Sequence, residues 1–355
     1  MDMLLEGVFA AITTPFYPDE RVYFRKLEAN VAHYSRSLLA GLVVLGSTGE
    51  AASLNDEESR DVLRTAAEAA AADKVLIAGV GQNSVRATLE MAEAAAKFGY
   101  DAVLVRLPPY YASVMTAEAM LEFFRNVADR SPLPVILYNI PRFVPTQIPV
   151  EVVAELARHP NVIGIKESSG KMERIEALLA ATRDAPKREA TVTTIFEAVT
   201  GRMMKRQPKE AGQPHGFVAA TELSGTPAVA VAPPPALKTR TREIGFQVLS
   251  GSVSTFLEAL EAGASGGVLA FAACAPQACQ EIYLAWKDRD RALARAKQER
   301  IAEAASEIVS GLGIGGVKYA CDFNGYFGGR ARQPLPALTA GQKQRIEELL
   351  AGIRN

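Results

Sequence analysis

A lysine at the end of a short apolar run is a residue type and a position suited to carbonyl chemistry. Gly164-Ile165-Lys166-Glu167-Ser168-Ser169-Gly170 continues the β-branched run Asn161-Val162-Ile163, and the chain turns small and polar soon after the lysine. An exposed lysine titrates near ~10.4 and is a poor nucleophile at neutral pH, whereas desolvation or a neighbouring cation frees the amine to attack a carbonyl and form a Schiff base. The other reading is a lysine that snorkels to solvent from a strand end, and from this stretch alone that reading has the stronger claim. The elements around it have to decide.

Strand-like and helix-like runs alternate from the start of the chain. Gly7–Thr14, Gly41–Leu45, Lys74–Val80, Ala102–Leu107 and Val135–Asn139 read as strands one to five, and the run ending at Lys166 as the sixth. Between them Phe24–Leu39, Asp56–Ala72, Ser84–Phe98, Thr116–Arg130 and Val150–Arg158 read as helices, and Met172–Thr182 follows the sixth strand. The rhythm stops from Asp184 to Arg242, then resumes with Gly245–Leu249 and Gly266–Phe271 as strands seven and eight. Helices over Pro276–Trp286, Arg289–Ser310 and Thr339–Ile353 complete the chain.

This pattern predicts an α/β fold, a (β/α)8 TIM barrel with a C-terminal helical extension and an insertion between helix six and strand seven. A doubly wound sheet is the runner-up. The catalytic barrel is expected over 1–275, interrupted by the 184–242 insertion, with 276–355 supplying the final barrel helix and the extension. The insertion joins a helix to a strand, which places it on the barrel's N-terminal face, away from chemistry. Its nine Lys and Arg against four Glu suit a solvated surface or an anionic partner, and Thr191–Val199 and Phe217–Thr221 are candidate short strands.

Barrel active sites lie where strands run into the following loops. Ser47 and Thr48 follow strand two, Tyr110 and Tyr111 strand four, Tyr138 ends strand five, Lys166 ends strand six, and Gly251 and Ser252 follow strand seven.

The totals narrow the partners. With 48% hydrophobic and 22% charged residues and a net charge of -1, neither a nucleic acid nor an acidic membrane is an evident partner, which leaves a small molecule. Cys274, Cys279 and Cys321 and His33, His159 and His215 lack a metal-ligand spacing, so no metal is expected. Residues 1–6 carry two acids, no base precedes Arg21, and no apolar run reaches the ~20 residues of a membrane span, which together predict a cytoplasmic location.

Five motifs then coincide in order: Thr13-Thr14-Pro15-Phe16, Gly46-Ser47-Thr48-Gly49-Glu50, Pro109-Tyr110-Tyr111, Tyr138-Asn139-Ile140-Pro141 and Gly164-Ile165-Lys166-Glu167-Ser168. Together they resemble the dihydrodipicolinate synthase and N-acetylneuraminate lyase family of pyruvate-dependent class I aldolases. Within that family Phe246–Ser252, Gly315-Gly316-Val317-Lys318 and Gly325–Gly329 look most like the 4-hydroxy-2-oxoglutarate aldolases. Dihydrodipicolinate synthases usually carry an acidic residue where this chain has Ser252. They also place an arginine where it has Phe143, with Arg142 one residue earlier and, in extended backbone, facing the other way.

The resemblance implies that Lys166 forms an imine with pyruvate and that Tyr138 is the general acid and base. Ser47 and Thr48 would grip the pyruvate carboxylate and complete the tyrosine's relay, although Gly-Ser-Thr-Gly also reads as an ordinary turn. Ser168 would support the imine region or cap the next helix, Gly251 and Ser252 would line the substrate, and Leu269 is a further substrate-side candidate. Arg142 is the candidate for a distal carboxylate. Tyr111 resembles the tyrosine that reaches into a neighbouring subunit's site, so a homodimer or homotetramer is expected. Glu50 and Glu167 read as structural acids. No cofactor is expected beyond the covalent imine. The expected activity is cleavage or formation of a 4-hydroxy-2-oxo acid such as 4-hydroxy-2-oxoglutarate from pyruvate and an aldehyde. The alternatives are 4-hydroxy-tetrahydrodipicolinate synthase, a sugar-acid aldolase or dehydratase, and, from another class, a silent barrel that binds an anionic partner through its insertion.

Overall fold

The computed structural model describes residues 3–205 and 237–353. In chain order its strands are β1 (Gly7–Ala11), β2 (Gly41–Val44), β3 (Val75–Gly79), β4 (Ala102–Arg106), β5 (Val135–Asn139), β6 (Val162–Glu167), β7 (Arg188–Thr193), β8 (Thr239–Ile244), β9 (Gln247–Ser250) and β10 (Gly266–Leu269). Eight of them close into a parallel barrel in the order β1-β10-β9-β6-β5-β4-β3-β2, as the alternation predicts.

Every residue of β1, β2, β5, β6, β9 and β10 is buried. Helices outside and side chains inside leave these strands no wet face, which is why they read as continuous apolar runs. Each large aliphatic side chain so buried contributes about 1.5–3 kcal/mol before entropy is counted. The helices start where their caps put them. Asn55 and Glu58 form a reciprocal capping box at Asp56–Ala69, and Ser84 and Thr116 accept from the N–H groups of Ala87 and Ala119 at the helices Val85–Phe98 and Ala117–Ala128.

Two differences lie in the C-terminal region. The helix expected over Arg289–Ser310 is α-helical from Arg291 to Ala305 and then widens into a π turn over Ser306–Gly311. Residues Gly313–Phe323 form a helix that their glycines disfavour, because tertiary packing outweighs a propensity cost of about 1 kcal/mol per glycine.

The described part of the insertion is an antiparallel ribbon in which β7 pairs with β8, from Arg188 opposite Ile244 to Thr193 opposite Thr239. The strand expected over Thr191–Val199 therefore begins earlier and ends at Thr193, where the chain turns through Phe196 at φ 67°. Phe217–Thr221 lies outside the described residues. Arg188 donates to the carbonyls of His159 at 2.8 Å and Val162 at 2.9 Å, and Thr200 Oγ1 donates to Ala72 O at 2.5 Å. These carbonyls stand at the entry to β6 and β3, so the ribbon and the residues that follow β7 pack on the rim opposite the strand C-termini.

Candidate active site

Lys166 and Tyr138 face each other in register across β5 and β6. Directly paired residues project to the same side of a sheet, so both side chains enter the mouth of the barrel together. They are 4% and 6% exposed, which makes the lysine a buried residue and not a snorkelling one. Its Nζ donates to Tyr138 Oη at 3.2 Å and stands 4.3 Å from the centre of the phenol ring. Ser47 Oγ lies 3.5 Å from the same Oη, at the long end of hydrogen-bonding distance. Among the described residues no carboxylate lies within ion-pair distance of Nζ, and its hydrogen-bond partner is the Tyr138 phenol.

The loop carrying Ser47 and Thr48 is a 3-10 turn over Ser47–Gly49, followed by Glu50 in the left-handed region at φ 56°. That strained conformation is held from the far end of the chain. Glu50 Oε1 pairs with Lys318 Nζ at 2.6 Å, and Oε2 accepts from the Arg332 backbone N–H at 2.8 Å. Lys318 is fully buried and also donates to Thr14 O at 2.8 Å. Burial pulls its pKa below the ordinary lysine value, while the Glu50 charge opposes the shift.

Glu167, next to the lysine, points away from it. It accepts from Asn139 Nδ2 at 3.0 Å on both oxygens, from Ser169 N at 2.7 Å and from Arg174 Nε at 2.6 Å. This ties β5 to β6 and fixes the loop after Lys166. Gly251 donates its N–H to Glu167 O at 2.7 Å, and a Cβ there would come within 1.9 Å of Ser168 Oγ, so only glycine fits. Ser168 Oγ is itself buried, with no hydrogen-bond partner among the described residues.

One cavity of ≈ 340 Å³ gathers Ser47, Thr48, Tyr138, Lys166, Ser168, Gly251, Ser252 and Arg142. Ser252 also caps the turn Val253–Thr255, accepting from Ser254 N at 3.3 Å. Arg142 is exposed at the rim, where Nη1 donates to Val309 O at 3.1 Å and Ser310 O at 3.0 Å. The sequence reading missed the opposite wall, formed by Ser306, Val309 and Ser310 of the π turn together with Ala270 and Phe271. No motif marks it. Two expected residues do not line this cavity. Leu269 is wholly buried and paired with Ala10 inside the barrel wall, and Tyr111 is 53% exposed, edge-on to Tyr110 at 5.1 Å.

The described residues contain no group of three or more His, Cys, Asp or Glu side chains that could hold a metal ion, and no helix among them is long and apolar enough to cross a membrane. The three thiols are buried and free of disulfides, and burial pushes Cys321 up to about 12.

Known proteins share this architecture. A 4-hydroxy-tetrahydrodipicolinate synthase of Gluconacetobacter diazotrophicus is 27% identical over 98% of this chain and 97% of its own. One from Natronomonas pharaonis is 38% identical over half of this chain, a match that spans 60% of that relative's length. The structure of the chloride-inhibited dihydrodipicolinate synthase of Acinetobacter baumannii, complexed with pyruvate, superposes with a TM-score of 0.76 at 26% identity, covering 98% of this chain and 99% of the other. The model of the dihydrodipicolinate synthetase family matches residues 4–186 and 236–353, on either side of a gap that begins just before β7 and ends shortly before β8. The chain therefore belongs to the dihydrodipicolinate synthetase family, whose members are lyases of the class I aldolase type.

Proposed function

We propose that Lys166 forms an imine with the C2 carbonyl of pyruvate or a close 2-oxo acid, and that the chain uses it to make or break a carbon–carbon bond. The observation that carries this reading is the 3.2 Å contact between a buried amine and a buried phenol at the barrel mouth. The neutral amine attacks C2, the carbonyl oxygen takes protons through Tyr138 Oη and leaves as water, and the protonated imine draws electrons from C3. Loss of a C3 proton gives an enamine, which adds to the aldehyde carbon while the aldehyde oxygen gains a proton. Water then releases the product and restores the amine.

The hydroxyls of Ser47 and Thr48 and the N–H groups of their turn hold the pyruvate carboxylate beside Tyr138. Ser168 and Gly251 bound the imine from the other side, with Ser252 further out. The exposed Tyr111 is free to reach a neighbouring subunit, which makes at least a dimer the expected assembly.

The relatives' name favours aspartate semialdehyde as the aldehyde, giving 4-hydroxy-tetrahydrodipicolinate synthase. A second reading, 4-hydroxy-2-oxoglutarate aldolase using glyoxylate, rests on Ser252 and Phe143, which depart from the synthase pattern. Turnover of pyruvate with each aldehyde in parallel decides between them. Faster consumption of aspartate semialdehyde supports the synthase, and faster consumption of glyoxylate supports the aldolase. Turnover with neither, in protein that forms the pyruvate imine, would move the reading to a different aldehyde.

A further inference from the structure

A third side chain stands in the row formed by Lys166 and Tyr138. Arg106, the last residue of β4, is the register partner of Tyr138, as Tyr138 is of Lys166. Three consecutive strands thus present a guanidinium, a phenol and an amine at one level and on one side of the sheet. Neighbouring strands are ~4.8 Å apart, so the arginine and lysine backbones are separated by roughly 10 Å. With two long side chains reaching inward, the remaining gap suits a short substrate.

Arg106 and Tyr138 line a second cavity, of ≈ 400 Å³, which shares Ser47 and Tyr138 with the cavity around Lys166 and is closed by Leu104, Phe143 and Val144. The two cavities therefore meet at the phenol. The other charged residue in this lining is Glu50, and both of its oxygens are engaged, one by Lys318 and one by the Arg332 N–H. It is not available to neutralise the arginine.

The guanidinium itself is poorly partnered. Its Nη1 donates to Leu107 O at 3.2 Å, while Nε and Nη2 make no hydrogen bond to a described residue, and no described carboxylate lies within ion-pair distance. Burial pulls its pKa below the ordinary guanidinium value, with the Tyr138 hydroxyl opposing the shift. A half-buried guanidinium with no acid beside it has donors left to offer, and a planar fork of donors is the group best matched to a carboxylate. The backbone makes room for this arginine. A Cβ on Gly81 would meet Arg106 N at 2.7 Å and Arg106 Cγ at 2.8 Å, so the residue opposite the arginine stem has no side chain.

Arg142 differs in its exposure and in the sharing of its Nη1. It is exposed at the rim, and its Nη1 is already shared by two carbonyls. An anion bound there stays in water, where a charge pair gains little.

We infer that Arg106 holds the carboxylate of the second substrate, a short aldehyde bearing a carboxylate, on the far side of Tyr138 from Lys166. The inference rests on the imine reading and adds to it a direction of approach. The aldehyde carbon faces the enamine on Lys166, its oxygen lies within reach of Tyr138 Oη, and its carboxylate pairs with the guanidinium. The site selects acceptors that carry a negative charge and disfavours neutral aldehydes of the same length.

The test compares the wild type with Arg106→Leu, Arg106→Lys and Arg142→Ala, using two readouts. Borohydride trapping of pyruvate reads the first half of the reaction, and the acceptor KM, for glyoxylate and for aspartate semialdehyde, reads the second. Arg106→Leu is expected to trap pyruvate to within threefold of the wild type and to raise the acceptor KM at least tenfold, with Arg106→Lys in between and Arg142→Ala changed less than either. An acceptor KM within twofold of wild type in Arg106→Leu, or a tenfold rise in Arg142→Ala alone, overturns the assignment. So does a loss in Arg106→Leu confined to the trapping step, because that outcome makes the arginine a support for Tyr138 only. If the wild type traps no pyruvate, the imine reading fails, and Arg106 is then judged by ligand-observed NMR with glycolate as the carboxylate probe. In that arm an affinity at least threefold weaker in Arg106→Leu sustains an anion site, and equal binding removes it. Should the leucine variant not fold, Arg106→Gln takes its place in every arm.

Discussion

Lys166 and Tyr138 are register partners on adjacent barrel strands, and the amine donates to the phenol oxygen at 3.2 Å. Strand pairing alone puts them side by side, so the distance depends on the barrel's register and not on a loop. In the proposed imine chemistry the hydroxyl has two tasks, passing protons at C2 and orienting the amine.

Tyr138→Phe keeps the ring and removes Oη. Imine formation with pyruvate is expected to slow by about 10²- to 10⁴-fold, the usual worth of a positioned acid or base, with the far-ultraviolet circular dichroism unchanged. A trapping rate within threefold of wild type would mean that protons travel by another route.

The ion pair between Lys318 and Glu50 is wholly buried on both sides. Removing one partner leaves a buried charge uncompensated, at a cost of about 3–5 kcal/mol. Lys318→Met should therefore lower the melting temperature by on the order of 10 °C. The double variant Lys318→Met with Glu50→Gln should recover part of that loss, because no buried charge remains. Equal melting temperatures for the wild type and Lys318→Met would contradict the role given to this pair.

Glu58 carries a pH signature. The Arg332 guanidinium hydrogen-bonded to it, helped by the Asn55 N–H, holds its carboxyl below the ordinary value of 4.5. A carboxyl depressed in the folded state contributes stability that is fully present above its unfolded value. That contribution is lost as pH falls through the folded value. Glu58→Gln keeps the capping box and removes the charge, so it should cost on the order of 1 kcal/mol at pH 7, a figure kept small because the pair is partly wet. The gap between the two melting curves should narrow steadily below pH 4.5 and close in more acidic buffer. A gap independent of pH would show that the pair contributes shape and not charge.

Much of this site was legible in the chain because it lies at strand ends. Val162–Glu167 and Val135–Asn139 are apolar runs closed by polar residues, and the alternation of runs fixed which ends share a face. Arg106 closes Ala102-Val103-Leu104-Val105 in the same way, so the signal that marked Lys166 was also present there. No motif includes it, so the strand end alone marks it. Other features depend on contacts between distant segments. Thr239-Arg240-Thr241-Arg242 reads as a charged surface until β7 pairs with it. The π turn at Ser306–Gly311 interrupts a helical pattern without a glycine or proline inside its first four residues. Leu269 shares its strand end with the cavity-lining Ala270, yet it turns into the wall, because register, and not sequence position, decides which neighbour faces the substrate.

The central claim is a covalent bond at one residue, and mass spectrometry reads it directly. Wild-type protein reduced with borohydride in the presence of pyruvate should gain one pyruvyl-derived adduct, mapped by peptide fragmentation to Lys166. Lys166→Ala should fold with the same circular dichroism and gain none. A folded wild-type protein with Lys166 unlabelled, or an adduct that persists in Lys166→Ala, would contradict the account.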